Sequence, residues 1–362
     1  MQSTLDTTIK VYVTLEERVD NDRMTTVKVM AAKGHLDLHD EEQLKQYCSN
    51  MSKHDLERGM PQFGTVYMRR PFKYKGAWHF IGRMPPRIQV HGKQDKRGMC
   101  ATYLKRDLRN LLFQDNKDLD QVCAVQRIAC CIFAHFDIPE SNWGAVKQYA
   151  LCSGNVRAVL CKELNVSKDE VKQTFNQIMF GGDCYLCKHS TLLKDFKEQI
   201  QTCTGILMRR DELQVFLAYA TKRLEEKKKK AGSKNDSDWM YDEEEPDNLE
   251  GMFLAHLVFH CESVATLRMY QYISKYVPQV QVNTLEYDGL KLRRLARGNS
   301  DDESEDRRLL PEDICKANRA VQEQTGMSMI EFSVKEMAIR DDYQKKFDQC
   351  RTALALRMSV EL

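Results

Sequence analysis

Apolar and polar residues alternate in the first part of the chain, which is the pattern of half-buried strands. The apolar members of this pattern are Ile9, Val11, Val13, Val27 and Val29. Turn residues at 20–22 separate the two groups, so the pattern predicts a β-hairpin. With a second extended stretch at 64–91, it predicts a strand-rich N-terminal region over residues 1–100.

From residue 103 onward the apolar positions recur every three or four residues, as on one face of a helix. The first two such stripes are Leu104, Leu108, Leu111 and Leu112, followed by Ile128, Cys131, Ile132 and His135. The same period predicts helices over 143–164, 168–179, 206–225 and 250–276. Strand patterns return at 279–282 and 285–292, so we expect a mixed α/β (α+β) chain.

Two segments are poor in apolar residues and rich in charge, which is typical of solvated loops. Residues 225–248 run from KKKK to DEEEPD, and we predict a flexible insertion between two helices there. Residues 297–308 (RGNSDDESEDRR) form a similar acidic loop. These features divide the remaining chain into a core, 101–296, and a C-terminal extension, 297–362.

The composition of the 362-residue chain agrees with a folded protein, because 42% of its residues are hydrophobic and 30% are charged. Its 55 Lys and Arg against 53 Asp and Glu leave a formal charge of +2, which excludes a histone-like polycation. The sequence has neither an apolar run long enough for a membrane span nor a signal-peptide pattern. We therefore expect no membrane partner and an intracellular protein whose 13 Cys are reduced.

The extended stretch 64–91 mixes basic with aromatic residues. Its members include Arg69, Arg70, Lys73, Arg83 and Arg87, with Tyr67, Phe72, Tyr74, Trp78 and Phe80. Cations bind phosphates and aromatic rings stack on bases, so one interpretation is a nucleic-acid surface. The other is a half-buried sheet with one solvated face.

Three separated segments carry the residue types that phosphoryl transfer needs. They are Asp118-Leu119-Asp120, the helical segment from Lys168 to Phe180-Gly181-Gly182, and Glu286-Tyr287-Asp288-Gly289. Carboxylates on neighbouring strands can hold two Mg²⁺ ions, and lysines four residues apart share a helix face that can reach a triphosphate. Each segment alone also fits a turn, a solvated helix face or a hairpin, and their order along the chain favours a common site.

The spacing Lys168-x3-Lys172-x7-Phe180-Gly181 resembles motif B of family A DNA polymerases and of single-subunit phage-type RNA polymerases. Asp118-Leu119-Asp120 lies upstream, where motif A is expected, and Asp288 lies downstream, where motif C is expected. Other segments resemble the flanks found in compact viral or mobile-element relatives of family A. These are Gly82-Arg83, residues 321–326 (VQEQTG) and Lys335-Glu336-Met337.

The resemblance implies an antiparallel palm sheet with helical fingers, which is a right-hand polymerase-like core. It implies a template-directed nucleotidyltransferase that uses two Mg²⁺ ions, and it favours a DNA polymerase. The implied partners are a nucleic-acid primer-template and nucleoside triphosphates, together with a processivity or primase partner. Because 117 residues precede Asp118, we expect no proofreading exonuclease.

The resemblance also implies roles for individual residues. Asp118, Asp120 and Asp288 would bind the metal ions, and Asp120, Asp288 and Lys172 would be catalytic. The nucleotide-binding residues would be Lys168, Lys172, Phe180 and Gly181. Arg83 and Arg157 are candidates for nucleic-acid contact, with a surface salt bridge as the alternative for Arg157.

The chain departs from the family pattern at several positions. Tyr287 stands where better-known enzymes have His, Gly289 where many have Glu, and Lys168 replaces the commoner Arg. The run after Asp120, QVCAVQ, lacks the usual Asn and Pro. Two alternatives therefore stay open: an RNA polymerase-like enzyme, and a noncatalytic nucleic-acid-binding relative of the same fold.

A zinc site is a further alternative. Cys184, Cys187 and His189 have zinc-type spacing, with His256, His260 and Cys261 as further ligands. A second CxxC is missing, and no Glu follows His256 as it would in a metalloprotease. Buried thiols are the simpler interpretation of these cysteines.

Overall fold

The computed structural model describes residues 13–19, 21–52, 62–67, 70–74, 77–81, 90–92, 104–114, 116–231, 248–285, 288–294, 309–335 and 337–360. The described residues are mostly helical and include one four-stranded antiparallel sheet. The prediction of a mixed α+β class is therefore confirmed. Arg83, residues 232–247 and the acidic loop at 297–308 are not among these residues, so the predictions made for them lie outside the described part of the chain.

The N-terminal elements combine short strands with two helices. They are β1 (Val13–Arg18), α1 (Asn21–Ala32), α2 (Leu38–Ser52), β2 (Gln62–Tyr67), β3 (Arg70–Tyr74), β4 (Ala77–Ile81) and β5 (Val90–Gly92). The hairpin predicted through Val27 and Val29 is wrong, because both residues lie in α1. Met24, Val27 and Met30 are buried at every third position, which is the spacing of a helical face. Val27 and Val29 alone, two residues apart, did not show this helical period.

The remaining elements are helices interrupted by strands. They are α3 (Arg106–Leu112), β6 (Lys117–Gln121), α4 (Ala124–His135), α5 (Gly144–Leu164), α6 (Lys168–Met179), α7 (Thr191–Leu207), α8 (Gln214–Ala231), α9 (Leu249–Tyr276), β7 (Val280–Leu285), β8 (Gly289–Arg294), α10 (Pro311–Thr325), β9 (Phe332–Lys335) and α11 (Asp341–Val360). The helices predicted over 143–164, 168–179 and 250–276 are confirmed to within one residue.

The helix predicted over 206–225 is wrong, because two helices meet there. α7 ends at Leu207 and α8 begins at Gln214. Between them the Arg210 guanidinium donates to the carbonyl of Phe136 at 2.8 Å, and Leu213 is buried in a short 3-10 turn. The flexible insertion predicted from residue 225 also begins too early, since α8 continues to Ala231.

The four-stranded sheet has the order β7-β8-β6-β9, with antiparallel neighbours throughout. Leu119 and Gln121 alternate along β6 with Asp118 and Asp120, so the two pairs lie on opposite faces. Leu119 and Gln121 are buried, and the side-chain amide of Gln121 donates to the Thr266 hydroxyl of α9 at 2.9 Å. α9 therefore covers one face of the sheet, and the two aspartates lie on the other.

Two hydrophobic cores are present among the described residues. The larger core joins helices α4 to α10 to the α9-facing side of the sheet. The smaller core contains Met30, Leu44, Leu108, Tyr343 and Phe347, and so joins α1, α2, α3 and α11. The C-terminal helix α11 thus packs with N-terminal helices, and β9 before it completes the sheet.

Candidate active site

Asp120 of β6 and Asp288, the residue just before β8, come together where these two strands pair. β6 and β8 pair antiparallel, with Asp120 opposite Gly289. The backbone N–H of Gln121 donates to the Asp288 carbonyl at 3.0 Å, which ties the backbone before β8 to the end of β6. Strand pairing therefore brings Asp120 and Asp288 together, although 167 residues separate them in the chain.

Gly289 makes this close approach sterically acceptable. A Cβ atom at this position would lie 2.8 Å from the Leu119 carbonyl oxygen and 3.2 Å from Asp120 Oδ1. Contacts this short require the β6 backbone or the carboxylate to shift. The glycine that departs from the family pattern therefore fits the local packing, because no larger residue fits against the Leu119 carbonyl and the Asp120 carboxylate without a shift.

Lys335 of β9 lies among the acidic residues. Its Nζ is 2.9 Å from Asp120 Oδ2, and its side chain is 56% exposed. Partial burial lowers the pKa of the Lys335 ammonium, but the carboxylates of Asp120, Asp118 and Asp288 raise it more, so that its pKa lies above the ordinary value. Three carboxylates thus act on a single cation.

Asp118 has a different partner, although it shares a face with Asp120. Its Oδ1 lies 3.5 Å from Nζ of Lys291, which is fully buried. Lys291 is directly opposite Asp118 in the β6–β8 register, and its Nζ also lies 3.5 Å from the Met337 sulfur. The two aspartates of β6 therefore have unlike surroundings: Asp118 lies beside a buried ammonium and Asp120 beside a half-exposed one.

Helix α6 carries the predicted phosphate-binding lysines on one side. Ser167 caps the helix by accepting from the Glu170 amide at 3.1 Å, and Lys168 and Lys172 are both exposed. Residues four apart are rotated by only about 40°, so Asn176 continues the same stripe. The Gln126 amide of α4 donates to Asn176 at 3.1 Å. This bond joins α6 to the start of α4, the helix that follows the acidic strand.

Phe180 and Gly181 end α6 against the first turn of α9. Gly181 has φ +76°, a left-handed conformation that favours glycine. The Asn248 amide donates to the Phe180 carbonyl, and the Phe180 ring lies 5.3 Å from that of Phe259. Phe180 is half-buried, so the structure packs its ring against α9 instead of leaving it fully exposed.

Arg157 lies beside the link between β6 and α4. Its Nε donates to the Ser153 carbonyl at 3.1 Å, and the Ser153 hydroxyl oxygen is 3.0 Å from the Cys123 sulfur. Cys123 has φ +47° and precedes the first residue of α4. Burial raises the pKa of Tyr149 to about 12, with Arg157 lowering it and Cys123 raising it. The arginine therefore lies near the C-terminal end of the acidic strand.

No family model, curated protein or solved structure matches this chain. None of the helices in the described segments is long and apolar enough to cross a membrane. The same segments contain no group of three or more His, Cys, Asp or Glu residues that is arranged to hold a metal ion.

The residues of the zinc alternative lie in two places. Burial raises the pKa of the Cys187 thiol, as does its neighbour Cys184, so these two cysteines lie together. The Cys184 sulfur is 3.7 Å from the Thr174 hydroxyl of α6. His256 is buried in α9, where its ring contacts that of Tyr219. Cys184 and Cys187 thus contribute to packing against α6, and His256 to the contact between α8 and α9.

The sequence alone did not predict that Lys291 and Lys335 lie beside the aspartates of β6. Lys335 appeared only as part of a flanking segment, and Lys291 was not singled out. Strand alternation offered a signal for Lys291, since it lies two residues after Gly289 and hence on the same face. Lys335 could be placed only from the pairing of β9 with β6, which joins residues more than 200 positions apart.

Proposed function

We propose that this protein is a template-directed nucleotidyltransferase of the family A polymerase type, acting as a DNA polymerase. The observation that carries the proposal is the pairing of β6 with β8, which brings Asp120 beside Asp288. The motif spacing supports it, because the segments that resemble motifs A and C form adjacent antiparallel strands. Phosphoryl transfer depends mainly on positioning and charge stabilisation, which such a pair of carboxylates provides.

The metal ligands in this proposal are the carboxylates of Asp120 and Asp288. The Lys335 ammonium lies at hydrogen-bonding distance from Asp120, so a cation is already accommodated at this carboxylate. Asp120 and Asp288 would hold Mg²⁺ in our proposal, and bound Mg²⁺ would neutralise charge on the reacting phosphate and activate the attacking hydroxyl. Gly289 lets β8 pack closely against Leu119 and Asp120, because a Cβ atom there would lie 3.2 Å from Asp120 Oδ1.

Asp118 has a supporting role in this proposal. Its carboxylate lies beside the buried Lys291 ammonium, where it offsets a charge that would otherwise be costly to bury. We therefore assign Asp118 to holding β6 and β8 in register, and Asp120 with Asp288 to the metal ions.

Lys168 and Lys172 would bind the phosphates of the incoming nucleotide. Both are exposed on the side of α6 that the Gln126–Asn176 hydrogen bond ties to the start of α4. Two ammonium groups there would offset the charge that develops on the leaving pyrophosphate. Phe180 and Gly181 at the end of the helix would border the base, and Arg157 would contact a phosphate of the nucleic acid.

A second candidate is a noncatalytic nucleic-acid-binding protein with the same fold. The observation in its favour is that lysines accompany both aspartates of β6: Lys291 lies beside Asp118 and Lys335 beside Asp120. A degenerate site would hold such pairs permanently, whereas an active site must exchange Lys335 for a divalent ion.

Primer extension on a primer-template separates these functions. We expect the wild-type chain with Mg²⁺ to extend a DNA primer with dNTPs, and Asp288→Asn to abolish extension while primer-template binding, measured by fluorescence anisotropy, is retained. Extension with NTPs alone would instead identify an RNA polymerase. Binding without extension under any divalent metal would overturn the enzyme and support the noncatalytic candidate.

A further inference from the structure

We propose that Lys335 is a positioning residue that acts as a built-in counter-ion of the acidic site and competes with the divalent ion for Asp120. The inference rests on the proposed function, because it concerns the metal ions assigned to Asp120 and Asp288. It adds a residue that sets how tightly those ions bind.

The strand register explains how Lys335 reaches the site. Lys335 is opposite Asp118 on the β6–β9 ladder, and the direct partner of Asp120 is Ser333. The Lys335 side chain therefore crosses diagonally to Asp120, where its Nζ lies 2.9 Å from Oδ2. Diagonal neighbours across an antiparallel ladder are within reach of long side chains. The contact is thus a specific feature of the two strands.

The exposure of Lys335 allows its ammonium to leave. Its side chain is 56% exposed and Asp120 is 23% exposed, so water can replace the ion pair as it opens. Half-exposed ion pairs are held weakly, and the four-carbon stem of lysine rotates freely. Lys291 offers the contrast, because its fully buried ammonium beside Asp118 cannot reach water without disturbing the sheet.

Charge balance explains why the ammonium is needed without metal. Asp118 and Asp120 bring two negative charges to one face of the sheet, and Asp288 lies near enough for its charge to raise the pKa of Lys335. Like charges this close repel one another. Lys335 offsets that repulsion at Asp120, and Lys291 does so at Asp118. A divalent ion would supply the same compensation, so ammonium and metal exclude each other at Asp120.

Mn²⁺ binding to the full-length chain, measured by electron paramagnetic resonance, tests the inference without relying on activity. We expect Lys335→Met to bind Mn²⁺ about tenfold more tightly than wild type, within the usual range of coupling between two ligands. Lys335→Arg keeps the charge and should bind Mn²⁺ like wild type. Lys117→Met is the matched control, since it removes one positive charge from β6 at an exposed position whose partner is Leu292.

A thermal measurement gives a second readout. Without its counter-ion the Lys335→Met protein should melt at a lower temperature than wild type, and added MgCl₂ should raise its midpoint by more than that of wild type. A simple packing defect would lower the midpoint without this extra dependence on Mg²⁺, and that result would overturn the inference.

The outcomes also separate the inference from the proposed function. If wild type binds Mn²⁺, Asp120→Asn loses it and Lys335→Met binds like wild type, then the counter-ion role is wrong and the metal site stands. If no variant binds Mn²⁺, or if Asp120→Asn binds it as well as wild type, then the metal site itself fails. Tighter binding by Lys335→Met but not by Lys117→Met supports the inference.

Discussion

Asp118 and Asp120 are chemically identical and two residues apart, yet their surroundings differ. Asp118 lies beside a fully buried lysine, and Asp120 beside a half-exposed one. Removing one member of a buried ion pair leaves an uncompensated charge, whereas an exposed pair contributes little. At the residue scale, the burial of the partner lysine therefore distinguishes Asp118 from Asp120.

This difference predicts unequal effects of the same substitution. Asp118→Asn should lower the free energy of unfolding by about 3 kcal/mol, because it leaves the Lys291 ammonium buried without a negative charge at Asp118. Asp120→Asn should lower it by less than about 1 kcal/mol. Urea denaturation of the two variants checks this. Equal losses of stability would contradict the roles assigned here.

Gly289 gives a second prediction at the same scale. Gly289→Ala should cost about 1 to 3 kcal/mol, because its Cβ would meet the Leu119 carbonyl and the Asp120 carboxylate. It should also weaken Mn²⁺ binding by displacing that carboxylate. Gly154→Ala is the control, since this helical glycine has open space around it and alanine should stabilise the helix by up to about 1 kcal/mol. Unchanged Mn²⁺ affinity in Gly289→Ala would contradict the proposed crowding.

At the scale of elements, α6 carries the two lysines and is joined to α4 by the Gln126–Asn176 hydrogen bond. We predict that Lys172→Ala lowers kcat/KM for nucleotide incorporation on the order of 100-fold, because it removes one preorganised charge at the phosphates. Gln173→Ala, at the next exposed position of the helix, should leave kcat/KM unchanged. Steady-state kinetics check both variants, and equal effects of the two would exclude a specific role for Lys172.

The contact between α8 and α9 contains a buried histidine that makes stability depend on pH. Burial, followed by the charge of Arg223, lowers the pKa of His256 from 6.5 to about 4. The unfolded chain therefore binds a proton between pH 6.5 and 4 that the folded chain does not, so stability falls as pH drops through this window. His256 should contribute a loss of about 2 kcal/mol between pH 7 and pH 5.

Urea denaturation at pH 7 and pH 5 checks this pH effect. His256→Gln should lose about 2 kcal/mol less than wild type between the two pH values, since glutamine does not titrate. His189→Gln makes the same change at an exposed position and should behave like wild type. If all three proteins lost the same stability, the acid sensitivity would come from other groups.

The elements show where sequence patterns suffice and where they fail. Long amphipathic helices such as α5, α6 and α9 were predicted because their period repeats over several turns. The hairpin at Val27 and Val29 failed because two alternating residues fit either period. The break between α7 and α8 was missed because the contact that stabilises it, from Arg210 to Phe136, joins distant parts of the chain.

The candidate site shows the same division. Motif spacing singled out Asp120, Asp288 and Lys172 without knowledge of the sheet order, and in the structure β6, which holds Asp120, pairs with β8, which follows Asp288. The partners of the carboxylates, Lys291 and Lys335, depend on strand register, which short-range sequence patterns do not specify.

At the scale of the whole molecule, the two hydrophobic cores hold different sets of elements together. The larger core supports the α9-facing side of the sheet and the helices that carry the lysines, and the smaller core joins the N-terminal helices to α11. The near-neutral overall charge conceals local clusters, because Asp118 and Asp120 share one face of the sheet and Lys168 and Lys172 are both exposed on α6.

The most direct test of this account is the rate of single-nucleotide incorporation under single-turnover conditions. Wild type, Asp120→Asn, Asp288→Asn and the exposed control Asp342→Asn would be compared on one primer-template with Mg²⁺. We predict that wild type and Asp342→Asn incorporate the templated nucleotide at similar rates, and that each site variant is slower by at least about 1,000-fold. Incorporation by Asp120→Asn and Asp288→Asn at the wild-type rate, or none by wild type, would contradict the central claim.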